Sequence, residues 1–191
     1  VHILAPPKEG QHIFRQGENG RKGAVLIESG TCLNAMHIGI CATVGRSHVD
    51  VHIKPRTAVL TTGKELKGPG DAVERHQIRD ANGSILQAAL TAAGFTPTAC
   101  LRVEDDEDRI RDAVTELLSD NDAVLITGGV SVGKYDLVPD IVRQIGGTLL
   151  YHGLTLKPGK PQLCAMMPDS KCIFGLPGNP LSALVGFHEF A

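Results

Sequence analysis

Two short runs limit the folds open to this chain. Thr57–Thr62 (TAVLTT) and Ala123–Thr127 (AVLIT) are continuous apolar and β-branched stretches, each halted by a glycine, Gly63 and Gly128. A strand with one wet face alternates polar and apolar residues, whereas one buried on both faces does not. Such runs belong inside a parallel sheet, and parallel neighbours need helical crossovers between them. The intervening sequence offers them. Gly83 to Ala93 is rich in Ala and Leu and ends at Gly94, a C-cap, with Asp80 or Asn82 as its N-cap. Phe95 to Val103 supplies another strand. In the helix that follows, Asp105 is expected as cap with Asp108 reaching back, and Ile110, Ala113, Val114, Leu117 and Leu118 form one apolar stripe. The acids Glu104 to Asp108 offset that helix's macrodipole.

Beyond Ala123–Thr127 comes a glycine loop, then a helix through Ile141, Val142 and Ile145 to Gly146-Gly147. Strands are expected near Thr148–His152, Gln162–Met167 and Cys172–Leu176. The alternation predicts a three-layer α/β/α domain with a mostly parallel sheet over residues 55–191. Residues 1–54 read as a partial accessory or linker region: a turn at Gly17–Gly20, a short strand at Ala24–Ile27 and a helix over Thr31–Val44. The chain begins at Val1 without a signal-peptide pattern, and Leu181–Ala191 reads as a helix start with nothing after it, so both ends are expected to be cuts.

Composition removes several classes of function. Hydrophobic residues make up 42% and charged residues 21%, a soluble globular balance, and no apolar run nears the ~18 residues of a membrane helix. Nineteen basic against 21 acidic residues leave a net charge of −2, and two Tyr, five Phe and no Trp build no stacking platform, so neither a nucleic-acid nor a membrane partner is expected. Five cysteines without a CxxC pair argue against a disulfide framework or zinc ribbon and for a reducing cytoplasm. His48 and His52 stand at i, i+4 with no third ligand nearby and read as a polar face.

In sheets of this kind ligands bind beyond the carboxyl ends of the strands, here the loops after Thr62, Thr127 and Leu176. The loop Gly128-Gly129-Val130-Ser131-Val132-Gly133-Lys134-Tyr135 nearly matches a P-loop, but Tyr135 stands where Ser or Thr must ligate magnesium. It also matches a nucleophile elbow around Ser131, with Asp169 and His188 following in hydrolase order. Both motifs start a helix at once, which would put Pro139 in its second turn at a cost of about 3 kcal/mol. A helix beginning near Leu137, with Asp136 as N-cap, removes the conflict and leaves an open loop. Adjacent glycines let backbone N–H groups approach an anion, and Ser131 adds a hydroxyl. Asp136 beside such an anion is a candidate Mg²⁺ ligand. Lys157-Pro158-Gly159-Lys160-Pro161 sets two ammonium groups on a stiff turn suited to an oxyanion. Gly175-Leu176-Pro177-Gly178-Asn179-Pro180 leads into a helix at Leu181-Ser182-Ala183, whose free N–H groups offer a second anion site.

Taken together, Thr62-Gly63-Lys64-Glu65-Leu66, Gln77-Ile78-Arg79-Asp80-Ala81-Asn82, the Gly128–Asp136 loop, Lys157–Pro161 and Gly175–Pro180 resemble the molybdopterin molybdenumtransferase family. These are the molybdenum insertases, MoeA in bacteria and the E domain of gephyrin in animals. Order and spacing match over Arg56 to Ala191, and Gly17-Glu18 with Gly30-Thr31 are similar to the stretch preceding that domain. The resemblance implies a molybdopterin-binding-like fold and insertion of molybdate into adenylylated molybdopterin, with Mg²⁺ assisting and AMP leaving. It implies catalytic roles for Asp136, Glu65 and Asp80, with Asp136 and Glu65 at the metal. Thr62, Gly128, Gly129 and Ser131 would hold the pterin phosphate or nucleotide. Lys157, Gly159, Lys160, Pro161, Pro177, Gly178, Asn179, Pro180 and Ser182 would form the molybdate and dithiolene end. A cytoplasmic homodimer is implied for the full-length protein. A molybdopterin-holding module or scaffold, and an adenylyltransferase of the same fold, remain the alternatives.

Overall fold

The computed structural model describes residues 5, 6, 8–130 and 136–191. The chain divides into two compact units, Val1–His52 and Ile53–Ala191.

Among the described residues of the first unit one helix forms, α1 (Ala35–Thr43). The expected helix over Thr31–Val44 starts later because Asn34 caps it, its side chain accepting from the N–H groups of Met36 and His37 while His37 Nδ1 accepts from Asn34 N–H. The strand expected at Ala24–Ile27 is absent; the Ala24 N–H instead closes a turn onto the Arg21 carbonyl at 3.0 Å. Apolar residues alone do not make a strand without a ladder partner. None of this unit's described residues is buried.

The second unit is layered as the alternation predicts. Its elements are β1 (Thr57–Thr62), β2 (Leu66–Lys67), β3 (Ile78–Arg79), α2 (Ala81–Ala92), β4 (Pro97–Val103), α3 (Glu107–Asp120) and β5 (Ala123–Thr127), followed by α4 (Leu137–Gln144), β6 (Thr148–His152), β7 (Leu163–Met166), β8 (Cys172–Leu176) and α5 (Pro180–Phe190). Six strands form one sheet in the order β4-β1-β5-β8-β7-β6. The first four run parallel, and β7 runs antiparallel to both its neighbours. The short strands β2 and β3 pair with each other alone, and two residues each is too brief a pattern to read from sequence.

Period two divides β1 between two cores. Ala58 and Leu60 join Ile110, Val114, Ile126 and Ile141 under α3 and α4, while Val59 joins Leu86, Leu125, Leu176 and Phe187 under α2 and α5. The predicted stripe of α3 is its buried face, Ile110, Ala113, Val114, Leu117 and Leu118. Its cap differs from the expectation. Asp106, not Asp105, accepts from the Arg109 N–H at 3.1 Å, because Asp105 turns back to the hydroxyl of Thr62. The neighbouring acids are also engaged, Glu104 with Arg109, Glu107 with Gln144 and Asp108 with Arg111. Of the two caps offered for α2, Asp80 is the one used. Helix α4 begins at Leu137 with Asp136 at the N-cap position, so Pro139 falls in the first turn.

Candidate functional site at the carboxyl edge of the sheet

One row of residues crosses the carboxyl edge of the sheet. The register pairs Val103 with Thr62, Thr61 with Thr127, Thr127 with Leu176, Gly175 with Leu163 and Leu163 with His152. Because β7 is reversed, its first residue, Leu163, lies at this edge, and so does the loop of Lys157 to Pro161 just before it. The loops after β1, β5 and β8 and the basic loop before β7 therefore share one rim.

At its centre Gly128 lies against β1. Its φ is +97°, and a Cβ added there would come within 2.3 Å of the Thr62 carbonyl oxygen. Gly129 is also in the left-handed region, at φ +61°, and its carbonyl accepts from the Val138 N–H at 3.3 Å. This contact ties the loop to the start of α4. Asp136 is half-buried there, and its side chain makes no capping hydrogen bond to the helix. Ser131, expected to add a hydroxyl to this cradle, lies outside the described residues.

The two other expected carboxylates differ in setting. Glu65 is exposed, and its Oε1 reaches back to 3.0 Å from where a Cβ on Gly63 would stand. Asp80 is buried beneath the rim. One of its oxygens accepts from the Gly83 N–H at 2.9 Å, the other from the Thr61 hydroxyl at 2.7 Å, and Arg102 Nε stands 3.6 Å from the latter oxygen. Asp80 thus fixes the start of α2 to β1 and supports the site from below.

The Pro177–Pro180 loop is held by side chains of β5 and α2. Thr127 donates its hydroxyl to the Pro177 carbonyl at 3.0 Å, while Asn82 Nδ2 donates to Thr127 Oγ1 at 2.8 Å and to the Gly178 carbonyl at 2.9 Å. Asn179 then caps α5, accepting from the Ser182 N–H at 3.2 Å and from its hydroxyl at 3.3 Å, and Pro180 has no N–H to offer. The free N–H groups expected at this helix start are thereby reduced: the cap occupies the Ser182 donors and the proline removes another. The cationic part of the rim is Lys157 and Lys160, both exposed, on either side of buried Gly159, with Pro161 half-buried behind them.

Sequence reasoning gives two residues here a capping role that the structure does not use. Asp105 is one of five adjacent acids with nothing local to distinguish it, yet it accepts the Thr62 hydroxyl at the rim. Asn82 reads as a cap; since Asp80 takes that role, its amide is released to bridge β5 and the Pro177–Pro180 loop. Its Oδ1 is buried without a hydrogen-bond partner among the described residues.

Other chemistries find less support. Burial pushes the Cys100, Cys164 and Cys172 thiols above the ordinary range, with Asp80 adding to the effect at Cys100. They are held as thiols rather than nucleophilic thiolates. No cluster of three or more His, Cys, Asp or Glu able to hold a metal occurs among the described residues. A groove of about 460 Å³ runs along β4 from Pro97 to Arg102 and reaches Asp80 beneath the rim, and the Arg102 guanidinium is already engaged by Asp80 and Asp71.

Residues 58–191 match the family model described as "Probable molybdopterin binding domain". The chain belongs to this family. Among its relatives is the molybdopterin molybdenumtransferase of Bacillus subtilis (strain 168), 35% identical over 181 residues that make up 95% of this chain and 42% of that protein. The protein of the same name from Synechocystis sp. is 34% identical over 193 residues, 100% of this chain and 50% of the relative. The chain thus spans about half the length of the curated relatives it matches. The molybdopterin biosynthesis MoeA protein from Pyrococcus horikosii superposes with a TM-score of 0.69 at 31% identity, covering 90% of this chain and 42% of that one. The MoaB protein of Thermus thermophilus shares the fold, with a TM-score of 0.54 at 19% identity over 70% of this chain and 87% of its own. The part of the chain that matches the family therefore has the three-layer, mostly parallel architecture expected from its strand pattern. No helix among the described residues is long and apolar enough to cross a membrane.

Proposed function

We propose that this chain is the molybdopterin-binding part of a molybdopterin molybdenumtransferase, which inserts molybdate into adenylylated molybdopterin with release of AMP. The observation that carries the reading is the shared rim, where the glycine loop with Asp136 and the loop bearing Lys157 and Lys160 lie on one edge of the sheet. Two anions must meet in this reaction, and fixed positive charge together with backbone donors lowers the cost of bringing them together. Lys157, Gly159, Lys160 and Pro161, with Pro177 to Pro180 and Ser182, receive molybdate and the dithiolene. Thr62, Gly128, Gly129 and Ser131 receive the phosphate or nucleotide.

Magnesium commonly binds through one or two carboxylates plus substrate phosphates rather than in an all-protein cage. A half-buried Asp136 at the N-cap position of α4, next to a glycine cradle, fits that pattern. Asp136 would hold the ion with Glu65 at the rim, and the bound ion would supply charge neutralisation at the phosphate. Asp80 contributes as a support, keeping the start of α2 under the rim. We place the full-length protein in the cytoplasm as a homodimer, with molybdate and adenylylated molybdopterin as its small-molecule partners.

The test is AMP release from adenylylated molybdopterin by the full-length protein given molybdate and Mg²⁺. Asp136→Asn should lower the rate by about a hundredfold or more while leaving binding of the adenylate measurable. Tight binding without molybdate-dependent AMP release would make the protein a holding module instead.

A further inference from the structure

Gln162 is fully buried, yet only half of its amide is satisfied. Nε2 donates to the Gly159 carbonyl at 2.6 Å, while Oε1 has no hydrogen-bond partner among the described residues. That oxygen faces α5, where a Cβ on Gly186 would meet it at 2.7 Å, and on the other side a Cβ on Gly159 would stand 2.8 Å from Nε2. The side chain therefore fills the space between the underside of the basic loop and the last helix, and the two glycines leave room for it. An aliphatic side chain would fill that space without burying an unpaired oxygen, which costs stability. Departures of this kind from local optimum concentrate where function sets the residue.

The main chain works in the same direction. Gln162 N–H donates to the Lys160 carbonyl at 3.1 Å, the Leu154 N–H donates to the same oxygen at 2.9 Å, and the Gln162 carbonyl accepts from the Gly153 N–H at 2.7 Å. One residue thus grips the loop at Gly159 and at Lys160, the backbone from which both exposed ammonium groups extend. We propose that Gln162 is a positioning residue, setting the separation and aim of Lys157 and Lys160 toward a tetrahedral oxyanion, molybdate in the reaction above. The proposal rests on that functional reading and assigns the loop's geometry to a side chain that never touches the ligand.

The test uses the full-length protein and molybdate alone as probe, titrated by calorimetry, with hydrogen exchange read at the Leu154 and Gln162 amides. Gln162→Leu keeps the bulk and removes the donor, and Gln162→Glu keeps the shape but sets an acceptor against the Gly159 carbonyl. Each is expected to weaken molybdate binding by roughly tenfold, the weight of one well-placed hydrogen bond, and to speed exchange at those two amides. In turnover, half-saturating molybdate should rise while the maximal rate stays within about twofold and the half-saturating adenylate concentration is unchanged. In a Lys157→Ala/Lys160→Ala background, Gln162→Leu should cost no further affinity, since it acts through the lysines. Gln162→Leu with wild-type molybdate affinity, or with a loss that adds in full to that of the lysine pair, overturns the proposal while leaving the functional reading intact. If removing both lysines leaves molybdate binding unchanged, the reading of this loop falls and the proposal with it.

Discussion

Gly128 stands where no side chain has room. A Cβ there would lie 2.3 Å from a main-chain oxygen of β1, and a φ of +97° is one that L-residues rarely adopt. The obstacle is the backbone at the end of a hydrogen-bonded strand, so it cannot swing aside as a flexible side chain would. Gly128→Ala is expected to destabilise the domain by at least about 2 kcal/mol through strain and overpacking together, measurable as a lowered urea midpoint at unchanged slope. At the same scale, Asn82 and Gln162 form a pair. Each is an amide whose nitrogen holds a loop of the rim and whose oxygen is buried unpaired among the described residues, the first beneath Pro177–Pro180 and the second beneath Lys157–Pro161. Neither can be singled out from sequence, because the Gly178 partner of Asn82 lies 96 residues away and the burial of the Gln162 amide over Gly159 is imposed by the packing of α5.

Among the elements, α3 shows how five adjacent acids divide their work. Asp106 caps the helix, and Asp105, one residue earlier, belongs to the rim through Thr62. Asp106→Ala should cost about 1 kcal/mol and lower the melting temperature by a few degrees. Asp105→Ala should leave helix content unchanged by circular dichroism while releasing the Thr62 hydroxyl. Equal helix loss in the two variants would show that the cap is shared between them. The reversal of β7 is the other decision at this scale. Were it parallel to β8, the loop of Lys157 and Lys160 would emerge at the opposite edge, far from the glycine loop. Alternation of strands and helices predicts a mostly parallel sheet, but says nothing about which strand reverses, and here no helix lies between β6, β7 and β8 to force a crossover.

At the scale of the molecule the two units differ in kind. Residues 53–191 contain both hydrophobic cores, and the described residues of 1–52 bury none of their side chains. A piece spanning Ile53–Ala191 is expected to unfold cooperatively on heating, followed by circular dichroism, whereas Val1–His52 alone should give no cooperative transition, for want of a core to oppose chain entropy. The central strands, the apolar stripe of α3, the start of α4 at Leu137 and the loops at the carboxyl ends of β1, β5 and β8 are all legible in the sequence. They depend on periodicity, on proline and glycine stereochemistry and on burial, which are properties of neighbours along the chain. The strand expected at Ala24–Ile27 fails because a strand exists only through a partner, and Asp105 is not the cap expected because capping depends on which of several carboxylates something distant already holds. What only the tertiary structure decided is the convergence: the direction of β7, the bridge from Asn82 to Gly178 and the packing of α5 against Gln162. Pairing between segments far apart in sequence has no signature in either segment alone, and it is the pairing of β5, β8 and β7 that brings the glycine loop and the lysine loop to one rim.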